Sequence, residues 1–124
     1  MSARVGFSTV EVSGPRIGIL EEHVIGLPQC CPVSQNPRAG STLRLTYEEC
    51  GRCLEVYSIC DTVRGFVGGW DGNERYPAER SMEGMIATLA QMAADVLGVP
   101  VTFRADLVLD VGGLRLSGRA EPRH

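Results

Sequence analysis

The chain has 124 residues, of which 44% are apolar, and its formal net charge is −3. This length and composition are typical of one folded domain and exclude an intrinsically disordered chain. The negative charge disfavours a general nucleic-acid binder, because such proteins present a basic surface to phosphates. All 12 basic residues are arginine, which excludes Schiff-base catalysis and the P-loop, since both need a lysine amine.

The cysteine count and the apolar runs bear on the compartment. No apolar run has the length that crosses a bilayer, and the first residues, Met1 to Arg4, lack the pattern of a signal peptide. An odd number of cysteines, five, without secretory features is typical of thiol or metal chemistry in a reducing compartment. We therefore expect a cytoplasmic protein that makes no membrane contact.

The N-terminal half is expected to form an arm and two strands. Residues 1–30 are interpreted as an arm or edge segment, strand-like near Arg4–Val12 and irregular from Pro15 to Leu27. Apolar and polar residues alternate between Leu43 and Glu48, which predicts a half-buried strand. A turn follows, and Cys53–Val56 is predicted to begin the returning strand of a hairpin.

The C-terminal half predicts two helices and a second hairpin. Apolar residues recur at helical spacing from Val56 to about Gly65, and a longer apolar stripe runs from a helix start at Pro77 to its end at Gly98. We interpret the methionines of that stripe as core residues. Strand alternation returns between Val101 and Val111, and Gly112-Gly113 is expected to turn the chain into the last strand. Residues 120–124 are expected to be a loose tail.

The predicted order is strand, strand, helix, helix, strand, strand, within a single domain of residues 1–124. The fold class is therefore α+β, with both hairpins in one antiparallel sheet and the helices on one face. A small open sheet leaves unpaired edges. Assembly of several copies into a closed oligomeric barrel would pair these edges and place an active site between subunits.

The segment Cys31-Pro32-Val33-Ser34 is the strongest candidate for chemistry. It lies in a loop rich in proline and other turn-forming residues, a composition that no helix or strand requires. A thiol held by prolines on both sides, with a hydroxyl three residues later, suits a cysteine nucleophile, although a zinc-binding turn has a similar composition. Because a reactive thiol needs a lowered pKa, the nearby Arg38 is a candidate for stabilising the Cys31 thiolate.

The element order together with Cys31-Pro32-Val33-Ser34 resembles the tunnelling fold, and within it the 7-cyano-7-deazaguanine reductases of the queuosine pathway. The chain is equally similar to their short relatives, the archaeosine-forming amidinotransferases. The likeness extends from Cys31 to Arg119 and includes Leu54-Glu55 and Glu79 at the start of the long helix. It implies a homo-oligomer that binds a 7-deazaguanine or pterin-like heterocycle at subunit interfaces.

The resemblance also implies a chemistry for individual residues. The Cys31 thiolate would attack the nitrile carbon of the base and form a covalent thioimide. Glu79 would hold the N–H edge of the base, with Ser34 of the cysteine motif and Glu55 as further substrate-binding residues. Glu83, one turn later, matches the corresponding helix of pterin aldolases in the same fold, so it is a second candidate for the carboxylate that holds the base.

Three departures from the reductase pattern bear on the reaction. Arg38 stands where the family has an aspartate proton donor, and Ala78 stands where the reductases have a histidine. The segment Glu55–Cys60 has no lysine for the role that the reductases give it in binding NADPH. We therefore favour amidine formation or a related non-reductive step, and keep NADPH-dependent nitrile reduction as an alternative. The net charge favours a free small molecule as substrate, with tRNA or DNA left open.

Other classes of function also remain open. Cys50 and Cys53 form a C-x-x-C turn, which is a common zinc-binding shape, and Cys30 or Cys31 with His23 could complete the ligand set. Bound zinc would favour a noncatalytic binding protein or a metal-dependent cyclohydrolase relative. A pterin or purine cyclohydrolase- or aldolase-like enzyme is a further alternative.

Overall fold

A computed structural model of the chain describes residues 6–14, 17–27, 29, 37–64 and 82–123. Within these ranges the protein is α+β, with antiparallel sheets and two helices, which confirms the predicted class. The elements in chain order are β1 Thr9–Glu11, β2 Leu20–Gly26, β3 Thr42–Glu48, β4 Arg52–Leu54, α1 Val56–Arg64, α2 Met82–Leu97, β5 Val101–Leu109 and β6 Gly112–Ala120.

The main sheet is antiparallel and has the strand order β2-β3-β5-β6. Its register places Glu21 opposite Tyr47 and Leu45 opposite Phe103. Both described helices lie in the chain between the second and third strands of this sheet. The alternation predicted for β3 is confirmed, since Leu43, Leu45 and Tyr47 are buried.

The expectation that Pro15–Leu27 is irregular is wrong, because this segment contains β2, which pairs with β3 over its whole length. The alternation of buried and exposed residues in β2 is hard to recognise in the sequence because the strand lies at the edge of the sheet. β2 is an edge strand whose outward face carries the exposed Leu20 and Val24, whereas Glu21 and His23 lie on the partly buried face. Apolar alternation therefore does not separate the two faces of this strand.

The predicted hairpin between β3 and β4 is also wrong. β3 already has β2 on one side and β5 on the other, so β4 has no free edge of β3 to pair with. β4 pairs instead with β1, in a separate two-stranded sheet. The turn between β3 and β4 contains Gly51 at φ 85°, a left-handed conformation that favours glycine, and the Gly51 carbonyl accepts a hydrogen bond from the Val12 amide at 3.0 Å.

The longer helix, α2, packs its apolar stripe against the main sheet. Met85 and Leu89 are fully buried, and Met82 and Met92 pack against the same core, so the prediction that the methionines are core residues is confirmed. The helix ends as predicted, at Gly98 with φ 74°. No helix in the described ranges combines the length and the apolar character needed to cross a membrane.

The last hairpin differs in detail from the expectation. β5 and β6 pair from Val101 opposite Ala120 to Leu109 opposite Gly112. The connecting turn is therefore Asp110-Val111, and Gly112-Gly113 begins β6.

The C-terminal segment was expected to be loose, but residues 121–123 are held on α2. The Gln91 side-chain amide donates to the Glu121 carbonyl at 2.7 Å. The Arg123 guanidinium and backbone amide both donate to the Asp95 carboxylate, at 2.7 and 2.8 Å. Polar side chains of α2 therefore attach this segment. The spacing of apolar residues in the sequence does not predict such an attachment.

We predict that Asp95→Asn weakens this attachment in a pH-dependent way. Hydrogen bonds from Arg123 lower the pKa of Asp95 from its ordinary value of 3.8 to about 2. A carboxyl group with a depressed pKa stabilises the fold above its unfolded pKa, and this contribution is lost as the pH falls through the folded pKa. The Tm of wild type should therefore exceed that of Asp95→Asn by a small margin at neutral pH, and the margin should shrink between pH 4 and pH 2.

Glu48→Gln is the control for this experiment, because it removes an exposed carboxylate at the end of β3. Its Tm should follow that of wild type more closely over the same pH range. A difference between Asp95→Asn and wild type that is as large at pH 2 as at pH 7 would contradict the assignment.

Candidate functional site

A cleft of about 450 Å³ lies between the edge strand β2 and the helix α1. β2 and the residue after it supply residues 23–27 to its lining, and α1 supplies Val56, Ile59, Cys60 and Val63. This volume lies within the range of sites that bind small molecules in proteins. The walls are mostly apolar, so they suit the faces of a flat ring or an aliphatic group.

Four polar side chains meet at the His23 end of this cleft. Glu21 and His23 are two residues apart on β2 and therefore lie on the same face of the strand. Tyr47 faces them from β3, directly opposite Glu21 in the register, and Cys53 comes from β4. The sheet and the separate β1–β4 pair thus contribute to one cluster.

The distances within the cluster are short. His23 Nε2 lies 2.9 Å from the Tyr47 hydroxyl oxygen and 3.8 Å from Cys53 Sγ. The Tyr47 hydroxyl lies 3.6 Å from Cys53 Sγ and accepts a hydrogen bond from the Leu54 amide at 3.0 Å. Since the Leu54 amide occupies one lone pair of the phenol oxygen, the hydroxyl proton of Tyr47 is left for His23, Cys53 or Glu21.

Burial sets the protonation states of this cluster. It raises the pKa of Tyr47 above its ordinary value and raises the pKa of the Cys53 thiol, and Glu21 adds to both shifts. Burial also lowers the pKa of His23, against the opposing effect of Glu21. At neutral pH the phenol, the imidazole and the thiol are therefore all uncharged. A protonated thiol is a poor nucleophile, so Cys53 is not arranged as an activated cysteine.

Several of the predicted site residues lie outside the described residues. These are Cys30, Cys31, Ser34, Ala78 and Glu79. The described strands still define how the chain reaches the cysteine motif. β2 ends at Gly26 and β3 begins at Thr42, so Cys31 belongs to the connection between two paired strands. Leu27, shortly before the motif, lines the cleft.

Glu55, predicted to bind substrate, caps the N-terminus of α1. Its carboxylate accepts hydrogen bonds from the backbone amides of Tyr57 at 3.0 Å and Ser58 at 2.6 Å. Amides of the first turn have no partner within the helix, and a carboxylate beside them also interacts favourably with the helix dipole. This contact gives Glu55 a local structural role, and its role toward a substrate stays a prediction.

Glu83, the second candidate for holding the base, is exposed in the first described turn of α2. A carboxylate at this position favours the helix for the same dipole reason. Its role toward a ligand stays a prediction, because Glu79 and the residues before Met82 lie outside the described residues.

Arg38 lies at the far end of the connection, near the turn of the last hairpin. Its backbone amide donates to the Val108 carbonyl at 2.7 Å, and its guanidinium lies 4.0 Å from the Asp110 carboxylate. Both side chains of this ion pair are substantially exposed. The proposed effect of Arg38 on Cys31 stays a prediction, because Cys31 is not among the described residues.

The structure brings two of the predicted zinc ligands together and leaves a third, Cys50, outside their cluster. His23 and Cys53 come together, and Glu21 joins them as the third member of a possible ligand set in the described part of the chain. Cys50 is not in this set, and its thiol donates to the Arg52 carbonyl at 3.4 Å. Sequence reasoning missed Glu21 and the Tyr47 hydroxyl. Recognising β2 as a strand would have placed Glu21 and His23 on one face.

Comparisons of the chain with protein-family models, curated proteins and solved structures return no match. The site itself offers an apolar cleft for a small ligand. One residue of its lining, His23, belongs to a cluster that combines a carboxylate, an imidazole, a phenol and a thiol.

We predict that Tyr47→Phe destabilises the protein. The phenol oxygen accepts the Leu54 amide in a buried position, and phenylalanine would leave that amide without its partner. An unsatisfied buried amide costs about 1–3 kcal/mol, so urea unfolding should show a loss in that range. Tyr57→Phe is the matched control, since Tyr57 is 75% exposed. Its effect should stay within about 0.5 kcal/mol. Equal effects of the two substitutions would contradict the role of the Tyr47 hydroxyl.

Proposed function

We propose that this chain is a tunnelling-fold enzyme that modifies the nitrile of 7-cyano-7-deazaguanine through a covalent Cys31 thioimide. The observation that carries the proposal is the topology. The main sheet has four antiparallel strands in chain order, with both described helices inserted between the second and third of them. The first two of these strands are β2 and β3, in place of the β3–β4 hairpin that the sequence predicted, and with them the strand and helix order agrees with that of the family that the sequence resembles. The cysteine motif falls in the chain between β2 and β3.

The cleft supports the same proposal. Leu27, four residues before Cys31, lines it together with apolar residues of α1. A volume of about 450 Å³ accommodates a bicyclic base. Apolar walls would contact the faces of the ring, and the polar edge of the base would need the carboxylates that we propose for that task.

The proposed residue roles follow the resemblance, with Glu55 placed after the other carboxylates. Glu55 is engaged in capping α1, so we assign the base-holding role to Glu79 first and Glu83 second. Ser34 belongs to the cysteine motif and is proposed to bind substrate beside Cys31. Arg38 is proposed to favour the Cys31 thiolate, since a guanidinium favours a nearby negative charge.

The proposed reaction begins with addition of the Cys31 thiolate to the nitrile carbon. A carbon–sulfur bond forms, and the nitrile nitrogen takes up a proton to give the thioimide. In the favoured non-reductive course, ammonia then adds to the same carbon, the carbon–sulfur bond breaks, and an amidine is released as the thiol is restored. NADPH-dependent reduction is the alternative course. Hydride adds to that carbon and the carbon–sulfur bond breaks to leave an imine and the thiol, and hydride and a proton from a second NADPH turnover then give the aminomethyl product.

We also propose that the protein assembles into a closed oligomeric barrel. In the described part of the chain, β2 and β6 each pair with one strand only, so the main sheet has two open edges. Such edges are usually paired or covered in proteins. Light scattering at micromolar concentration should therefore give the mass of an oligomer, and a monomeric mass would contradict the barrel.

The nitrile chemistry is tested by intact mass spectrometry after mixing the protein with 7-cyano-7-deazaguanine. We expect a covalent adduct in wild type and its complete loss in Cys31→Ala. Cys60→Ala is the matched control, because Cys60 is an exposed thiol that lines the cleft, and it should still form the adduct. Absence of an adduct in wild type between pH 6 and pH 9, or an adduct that persists in Cys31→Ala, would refute the proposal.

The second reactant is then identified from the product. Addition of ammonia should release an amidine from the adduct, whereas addition of NADPH should leave the adduct unchanged. An aminomethyl product with NADPH would instead establish the reductase alternative.

A further inference from the structure

We propose that Glu21, His23 and Cys53 form a binding site for one divalent transition-metal ion, with zinc as the best fit. The three residues offer a carboxylate oxygen, an imidazole nitrogen and a thiol sulfur, and these atoms all lie within 4.8 Å of one another. The site uses neither Cys31 nor any other residue of the nitrile chemistry. Its test is therefore separate from that of the proposed function, although bound zinc would favour the alternative classes of a binding protein or a cyclohydrolase relative.

The spacing of the His23 and Cys53 ligand atoms fits tetrahedral zinc. With zinc–sulfur and zinc–nitrogen bonds of about 2.3 and 2.1 Å, sulfur and nitrogen ligands are about 3.6 Å apart. His23 Nε2 and Cys53 Sγ are 3.8 Å apart. An ion between them needs only a few tenths of an ångström of adjustment, which a side-chain rotation supplies.

The Glu21 carboxylate independently indicates a cation-binding site. Its Oε2 atom is buried and has no hydrogen-bond partner among the described residues. A buried polar atom without a partner is costly, and the cost rises for a charged group. A metal ion bound by the carboxylate would satisfy this atom.

The surroundings of the three ligands also suit a metal. When His23 Nε2 binds the ion, the Tyr47 hydroxyl can donate to Cys53 Sγ, which lies 3.6 Å away. A hydrogen bond of this kind to a metal-bound thiolate is a typical outer partner in metal sites. Mixed sulfur, nitrogen and oxygen ligands favour zinc and disfavour calcium and magnesium, which select oxygen.

The number of protein ligands bears on what the ion would do. The three ligands found among the described residues leave a fourth tetrahedral position, as in sites that bind water or a substrate, whereas structural zinc sites are closed by four protein ligands. His23 belongs both to this cluster and to the lining of the cleft. The ion would thus be bound by one residue of the cleft lining.

Cobalt(II) titration of the metal-free full-length protein tests the site. A thiolate ligand gives a charge-transfer absorption in the near ultraviolet, so wild type should show this band and saturate at one cobalt per chain, with zinc displacing it. Cys53→Ser should abolish the band. Glu21→Gln and His23→Gln should weaken cobalt binding by at least about 100-fold, beyond the 10- to 100-fold typical of losing an outer partner.

Cys50→Ser and Cys60→Ser are the matched controls, since both thiols are free and lie outside the ligand set. They should bind cobalt like wild type, and Cys31→Ala should do the same. Circular dichroism of each metal-free variant establishes that it is folded. Glu21→Gln preserves the shape of the side chain, so it keeps the test valid if Cys53→Ser does not fold.

Three results would overturn the site. One is the absence of stoichiometric cobalt or zinc binding by wild type. A second is a band that persists in Cys53→Ser and disappears in Cys30→Ser or Cys31→Ala, which would place the metal in the cysteine loop. The third is unchanged affinity in folded Glu21→Gln and His23→Gln. Failure of the nitrile adduct, by contrast, would leave this site untouched.

Discussion

The hydrogen bond from the Leu54 amide to the buried Tyr47 hydroxyl joins the two sheets at the position on which the candidate site depends. β4 cannot pair with β3, because both edges of β3 are occupied, and it turns away to pair with β1. Tyr47 still reaches it from β3 and accepts its backbone amide. The same hydroxyl contacts His23 and faces Cys53. A single phenol oxygen therefore positions a residue of β4 against the edge strand β2.

Much of the architecture is readable from periodicity, because the elements concerned are half-buried. The alternation of β3 and β5 and the apolar stripe of α2 each separate a buried from an exposed face, and the structure agrees with all three. The failures have a physical cause. β2 places Glu21 and His23 on its inner face, and β4 is too short for a pattern, so neither its sheet nor its partner follows from local sequence. The partners of β2 and of β4 are both set by contacts between residues that are distant in the sequence.

The residues of the candidate site also differ in how far the sequence alone predicts them. His23 and Cys53 were recognisable as ligand-type residues, but they are far apart in sequence, and only the β2–β3 register and the position of β4 bring them together. Glu21 was missed because its strand was missed. Glu55 was singled out as a carboxylate, but its position directly before a helix gives it a capping role. The motif that carries the proposed chemistry was found from its composition, which requires no knowledge of the fold.

The base of the connection that carries this motif is closed by Ser41. The Leu27 amide donates to the Ser41 carbonyl at 2.9 Å, while the Ser41 hydroxyl donates to the Arg38 carbonyl and accepts the Val108 amide, both at 2.8 Å. These bonds fasten the start and the end of the connection to the sheet. The length and composition of the segment between them can therefore vary without shifting the strand register, so one scaffold of this kind could carry different connections over evolutionary time.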